Sequence, residues 1–162
     1  MKDGNYNLNF DWESVESPKL DLSKNFNRFH QKMYDTCGTG AISLITGLHP
    51  KFIEKQLPKP RKHWTDSSIC RFLNKRGYKT IPLTKNLVTS MSNESPYAEL
   101  FYIVTQYHCL LLNSLVCQDE ASFFVLHNGH VYHNFKKDYI DPLFLINRPT
   151  QTAFIVCHKK WR

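Results

Sequence analysis

The sequence lacks several features that mark secreted or membrane-spanning proteins. Its five cysteines are an odd number and contain no CxxC pair, so we expect reduced thiols rather than a disulfide framework. No apolar segment follows a charged N-terminus, and the apolar run around Leu110–Leu112 is far too short to span a bilayer. We therefore expect a cytoplasmic protein with no membrane partner.

Long basic runs, internal repeats and low-complexity segments are also missing. The net charge is +7, but the cations are scattered in short groups such as Lys136–Lys137. No aromatic–basic repeat accompanies them. This pattern favours a solvated basic surface, and we do not expect nucleic acid as a partner.

Apolar and aromatic residues are plentiful enough for a real core. Hydrophobic residues make up 41% and aromatic residues 14% of the 162 positions, which fits one compact domain. Residues 1–30 are polar and weakly patterned, so we expect an N-terminal arm there and a single domain over residues 31–162. Helical patterns come first and strand patterns second, which predicts an α+β fold with N-terminal helices packed on an antiparallel sheet.

Three helices are predicted from their start and stop signals. Cys37 begins the first, which ends before Gly47. Pro50 occupies the first position of the second. Thr65 or Asp66 caps the third, and Gly77 ends it. The predicted ranges are 37–46, 51–57 and 67–76.

Strand patterns follow, and four of them form two predicted hairpins. One hairpin turns at Asn113-Ser114. The other turns at Asn128-Gly129, the strongest short hairpin signal in the chain. The predicted strands are 78–83, 100–105, 108–112, 115–119, 122–127, 130–134 and 153–157.

Cys37 is the candidate nucleophile. It stands six residues after Gln31 at the predicted helix start, where backbone N–H groups and the helix dipole stabilise a thiolate. Gly38 and Gly40 leave room for a substrate backbone. The Gln31 amide and the Cys37 N–H could donate to a developing oxyanion. The alternative interpretation is a buried structural cysteine at a helix start.

His108 and Asp119 are the candidate base and its orienting group. A two-residue turn at Asn113-Ser114 would place His108 directly opposite Asp119 on one face of the sheet. A carboxylate in that position fixes the imidazole tautomer and stabilises its charged form. The alternative is a strand histidine near a sheet edge, with Asp119 simply ending its strand.

The second hairpin offers a fallback base but no metal site. Its turn would place His127 opposite His130 and Phe124 opposite His133, and no acid faces a histidine. His133 with Asn134 remains the fallback pair. His127, His130 and His133 alternate between sheet faces and cannot converge easily, so we predict no metal site.

At these residues the chain resembles the papain-like cysteine peptidases. It is most similar to the small single-domain form found in bacteriocin-leader peptidases and related phage proteins. The resemblance rests on Gln31-x5-Cys37, on a helix ending at Arg76–Tyr78, and on a strand pair carrying His108 and Asp119. It implies a papain-like fold with Cys37 as nucleophile, Gln31 as oxyanion donor, His108 as general base and acid, and Asp119 as its orienter. Cys37 is followed by Gly-Thr-Gly rather than papain's Gly-Ser-Cys-Trp.

Three functional hypotheses follow. The first is a thiol hydrolase, a peptidase or amidase, that acts on a peptide or protein substrate through an acyl-enzyme and needs no cofactor. The second is an inactive peptidase-fold binding protein, such as a phage effector that sequesters a host partner in the host cytoplasm. The third is a nucleic-acid binder, suggested only by the net charge.

Overall fold

Four helices and six strands make up the described part of the chain. The computed structural model describes residues 21–29, 37–57, 63–83, 108–115, 121–133, 136–138, 140–141, 145 and 150–158. The helices are α1 Leu22–Phe29, α2 Cys37–Thr46, α3 Pro50–Lys55 and α4 Asp66–Lys75. The strands are β1 Tyr78–Pro82, β2 Cys109–Leu115, β3 Ala121–His127, β4 His130–His133, β5 Lys136–Lys137 and β6 Thr150–His158. The α+β prediction is confirmed.

The six strands form one open antiparallel sheet in the order β1-β6-β2-β3-β4-β5. One face, here called the helix face, packs against the helices and includes Leu111, Phe123 and Val125. The far face carries a second buried cluster that includes Phe124 and Leu145. Alternate residues of β2 and β3 are therefore buried on opposite sides of the sheet.

Helix α1 belongs to the core, although the sequence predicted an arm over residues 1–30. Leu22, Phe26 and Phe29 are buried in the same cluster as α2. The Asn25 side chain donates a hydrogen bond to the Leu44 carbonyl at 2.8 Å. Residues 22–29 of the predicted arm therefore form a helix that packs with α2. Its buried residues recur at i, i+4 and i+7, a helical spacing that the arm prediction did not use.

The predicted helix ends are confirmed at two glycines. Gly47 and Gly77 both adopt positive φ, at 77° and 90°, which is the left-handed conformation that ends helices. At the start of α4, the Thr65 side chain accepts from the Ser68 backbone N–H, and the Ser68 side chain accepts from Thr65. This capping box satisfies N–H groups that the helix itself cannot pair.

The Asn128-Gly129 hairpin is confirmed in its register. Asn128 and Gly129 both have positive φ, at 52° and 80°, as a type I′ turn requires. His127 faces His130, as predicted, and Val125 faces Tyr132.

The predicted hairpin at Asn113-Ser114 is wrong. Both residues lie inside β2, where Asn113 faces Phe123 and Ser114 faces Ser122. The β2–β6 register shifts between Asn113 and Ser114. Asn113 pairs with Thr152 and Ser114 with Thr150, so the extra residue of this bulge lies on β6. Strand β2 itself continues through the polar pair, and the Asn113 amide donates to Asp66.

Several predicted features lie outside the described residues: Gln31, Asp119, Asn134 and the strand over 100–105. Among the helices that the structure describes, none combines the length and the apolar character that a membrane crossing needs.

Candidate functional site around Cys37

Cys37 is the first residue of α2, and its side chain is half-buried. Every residue from 38 to 45 is buried, so packing fixes the helix that carries the thiol. The Cys37 sulfur accepts the backbone N–H of Phe123 at 3.4 Å. The start of α2 is therefore tied directly to the start of β3.

The Phe123 N–H is available to sulfur because of where it lies in the sheet. Among the described residues, β3 pairs with β4 only from Val125 to His127, so Phe123 lies beyond that ladder. A backbone N–H without a strand partner needs another acceptor. The Cys37 sulfur supplies it, and a thiolate would accept this bond more strongly than a thiol.

Gly38 serves helix packing rather than substrate access. A Cβ atom at Gly38 would lie 2.6 Å from the Trp64 Cβ, closer than any side chain tolerates. The Trp64 indole N–H donates to the Thr39 hydroxyl at 3.0 Å, and that hydroxyl donates to Glu54. Gly40 is buried as well. The interpretation that both glycines leave room for a substrate is therefore wrong.

Asp66 organises a polar group on the same side of the sheet. Its carboxylate accepts the Asn113 amide at 2.9 Å and the Thr152 hydroxyl at 2.8 Å. Asn113 faces Phe123 on one side and Thr152 on the other. These bonds connect the start of α4 to β2 and β6. Strand β2 is the neighbour of β3, which carries the Phe123 N–H that binds the Cys37 sulfur. Sequence analysis missed this group, although a polar residue inside an apolar strand was its one signal.

The structure does not bring His108 to Cys37. The His108 carbonyl accepts a hydrogen bond from the His127 ring at 2.9 Å. His127 lies four residues along β3 from Phe123, a separation of about 13 Å along a strand. The two predicted catalytic residues are therefore at opposite ends of β3.

The strand register that was predicted to pair His108 with Asp119 is not formed by β2. Asp119 itself lies outside the described residues. Its nearest described neighbour in the chain, Ala121, pairs with Leu115 at the end of β2. His108 precedes the other end of that strand. The direct pairing of His108 with Asp119 depended on a turn at Asn113-Ser114 that does not form.

His133 is placed as predicted against Phe124, but on the far face. The two rings stack with centroids 4.6 Å apart, and Phe124 belongs to the far-face cluster. Burial, and to a smaller extent the charge of Lys136, lowers the pKa of His133 to about 4. The ring therefore lies across the sheet from α2, and its low pKa makes it a weak proton acceptor at neutral pH; both argue against it as the fallback base.

One histidine meets an acid that sequence analysis overlooked. His130 Nδ1 lies 2.8 Å from the Asp138 carboxylate, and Asp138 also accepts the Val131 backbone N–H at 3.0 Å. Within the hairpin no acid faces a histidine, as predicted; Asp138 comes from the residue that follows β5. Within the described ranges, no three metal-binding side chains come together.

Three other cysteines lie in the described residues, one buried and two half-buried. Burial raises the pKa of Cys70, Cys109 and Cys157, so these thiols stay protonated at neutral pH. Cys109 is fully buried. Cys117 lies outside the described residues.

Comparisons of the chain with family models, with curated proteins and with solved structures found no match.

Proposed function

We propose that Cys37 is the nucleophile of a thiol hydrolase that cleaves a peptide or amide bond through an acyl-enzyme. The observation that carries the proposal is the Phe123 N–H directed at the Cys37 sulfur, at the first residue of a buried helix. Reactive cysteines commonly occupy helix starts, where the surrounding positive potential stabilises the thiolate.

The proposed reaction has two steps. The Cys37 sulfur attacks the substrate carbonyl carbon, and the bond to the leaving amine breaks as that amine takes up a proton. Water then attacks the thioester, which releases the carboxylic acid and regenerates the thiol. The first N–H groups of α2 have no acceptor inside the helix. Together with the Gln31 amide that the sequence predicts for this role, they are the proposed donors to the oxyanion.

The proposed domain type is papain-like. The order of elements supports it, since the α2 cysteine precedes an antiparallel sheet. His108 is the base that the sequence predicts, and in the structure its carbonyl contacts His127 rather than any group near Cys37.

The test is turnover and labelling of single-cysteine variants. Wild-type protein, Cys37→Ala and the matched control Cys70→Ala are incubated with a mixture of peptides and with a peptide vinyl sulfone, and products are read by mass spectrometry. We expect cleavage and labelling by wild type and by Cys70→Ala, with a loss of about a thousandfold in Cys37→Ala. Undiminished turnover by Cys37→Ala would overturn the proposal.

The same assay identifies the base. Losing a general base lowers the rate by about a hundredfold or more. We expect that effect in His108→Ala if His108 approaches Cys37 when substrate is bound, and little effect in His133→Ala. Equal turnover by wild type and His108→Ala would remove His108 from the mechanism.

The second candidate is a binding protein on an inactive peptidase-like scaffold, acting on a host protein in the cytoplasm. The separation of Cys37 from His108 along β3 favours it. Under this alternative, wild type and Cys37→Ala capture the same partner with equal affinity, and wild type cleaves no peptide. Cleavage by wild type that Cys37→Ala lacks would count against it.

A further inference from the structure

Cations that are scattered in the sequence meet on the surface formed by α3 and the end of α4. Lys51 and Lys55 are exposed and one turn apart on α3. Arg71 and Lys75 are exposed and one turn apart on α4. Residues four apart on a helix lie on the same face, so each helix presents a pair of cations to solvent.

Arg76 joins the two helices at this surface. Its guanidinium lies 4.2 Å from the Phe72 ring centre and 5.5 Å from the Phe52 ring centre. Phe52 belongs to α3 and is 42% exposed, an unusual exposure for a phenyl ring in the described residues. We call the surface that these contacts define the Arg76 patch; it consists of Lys51, Phe52, Lys55, Arg71, Lys75 and Arg76.

The acids of these two helices have hydrogen-bond partners outside the Arg76 patch. Glu54 of α3 accepts a hydrogen bond from Thr39 of α2. Asp66 of α4 accepts from Asn113 and Thr152 in the sheet. Among the residues that the structure describes, no patch cation forms an ion pair.

We propose that the Arg76 patch binds the backbone and bases of a single-stranded nucleic acid. Lysine and arginine side chains neutralise phosphates, and an exposed ring beside an arginine offers a surface on which bases stack. Lysine is depleted in protein–protein interfaces, which disfavours an acidic protein segment as the occupant. The cations are scattered along the sequence, which disfavoured nucleic acid as a partner. In the fold, cations of α3 and α4 contribute to one surface, so that reason no longer applies to the Arg76 patch.

The first test compares two charge-reversal variants by fluorescence anisotropy. The probe is a labelled oligo(dT) of about 16 nucleotides, the upper end of common single-strand site sizes. The patch variant combines Lys51→Glu with Lys55→Glu. The matched control combines Lys136→Glu with Lys137→Glu, which changes the same charge at two exposed β5 residues.

We expect the patch variant to bind about tenfold more weakly or worse than wild type. Its slope of log affinity against log salt should fall by about 1.4, since each lost phosphate contact removes about 0.7. The control pair should leave the slope unchanged. Equal losses of affinity in the two variants would show that only net charge matters, and would overturn the proposal. Absence of wild-type binding at low salt would also overturn it.

The second test separates stacking from charge and excludes other anions. Phe52→Leu keeps an apolar side chain but removes the ring, and we expect about tenfold weaker binding, because the variant has no aromatic face on which a base can stack. Unchanged binding would contradict the stacking role. If polyglutamate at equal charge concentration displaces the oligonucleotide, the Arg76 patch is a site for acidic polypeptides. That result would overturn the proposal.

The measurements are repeated with Cys37→Ala, so that binding by the patch is judged separately from catalysis. Circular dichroism checks that each variant is folded. If Lys51→Glu with Lys55→Glu loses helical signal, Arg71→Glu with Lys75→Glu replaces it, with the same expected loss of affinity and slope.

Discussion

At the residue scale, two close contacts fix the position of the half-buried Cys37 thiol at the start of α2. The sulfur accepts the Phe123 N–H at 3.4 Å. The next residue, Gly38, packs so closely on Trp64 that no Cβ fits between them. Neither contact involves a titratable group.

His133 gives a prediction about stability and pH. Its pKa is lowered to about 4 in the folded protein, against about 6.5 in an unfolded chain. Between these values the unfolded chain binds a proton that the folded protein does not. His133 therefore reduces the free energy of unfolding as pH falls from 6.5 towards 4, by at most about 1.4 kcal/mol per pH unit.

Urea unfolding at several pH values between 7 and 4.5 measures this effect. His133→Phe keeps a ring stacked on Phe124 and removes the titration, so its stability should fall less steeply with pH than that of wild type. The matched control is His130→Phe, at the exposed ion pair with Asp138. A His133→Phe profile parallel to that of wild type would contradict the burial of a neutral imidazole.

At the element scale, the capping box of α4 is expected to stabilise the helix measurably. The Thr65 side chain accepts the Ser68 backbone N–H at 3.2 Å. Thr65→Ala leaves that donor without its partner and should lower the free energy of unfolding by about 1 kcal/mol. Thr65→Ser retains the hydroxyl and should cost much less. Equal destabilisation by both substitutions would show that the hydroxyl is not the cause.

Elements defined by short-range signals were predictable, and elements defined by distant partners were not. Gly47, Gly77 and the Asn128-Gly129 turn each act within a few residues, and all three lie where the sequence placed them. The turn predicted at Asn113 fails because its amide bonds Asp66, which is 47 residues away in the chain. No local pattern contains that information.

At the scale of the whole molecule, Asp66 connects the helical layer to the sheet. Its carboxylate accepts hydrogen bonds from side chains on two strands. Bonds to a charged acceptor are each worth about 1.5–3 kcal/mol. Asp66→Ala should therefore lower the free energy of unfolding by about 3 kcal/mol, measured in urea.

A double-mutant cycle separates this bridge from other effects at the start of α4. Combining Asp66→Ala with Asn113→Ala should destabilise less than the sum of the two single substitutions, with a coupling of about 1 kcal/mol or more. Purely additive values would mean that Asp66 acts through the helix terminus alone, and would contradict the proposed link between α4 and β2.

The candidate site shows the same division between local and distant information. Cys37 at a helix start follows from local signals, and the structure places it there. The pairing of His108 with Asp119 depended on strand register, which one misplaced turn changes completely. The approach of Phe123 to Cys37 joins residues 86 positions apart, and nothing in the sequence pattern indicates it.

The nucleophilic role of Cys37 is tested most directly by its rate of alkylation with iodoacetamide, resolved for each cysteine by mass spectrometry. The rates are measured at pH 6 in the folded protein and in the same protein unfolded in urea, with Cys117→Ser as the background. We expect Cys37 to react several-fold faster folded than unfolded, while Cys70, Cys109 and Cys157 react more slowly when folded because burial raises their pKa. A folded Cys37 that reacts no faster than the unfolded thiol would contradict the proposed nucleophile.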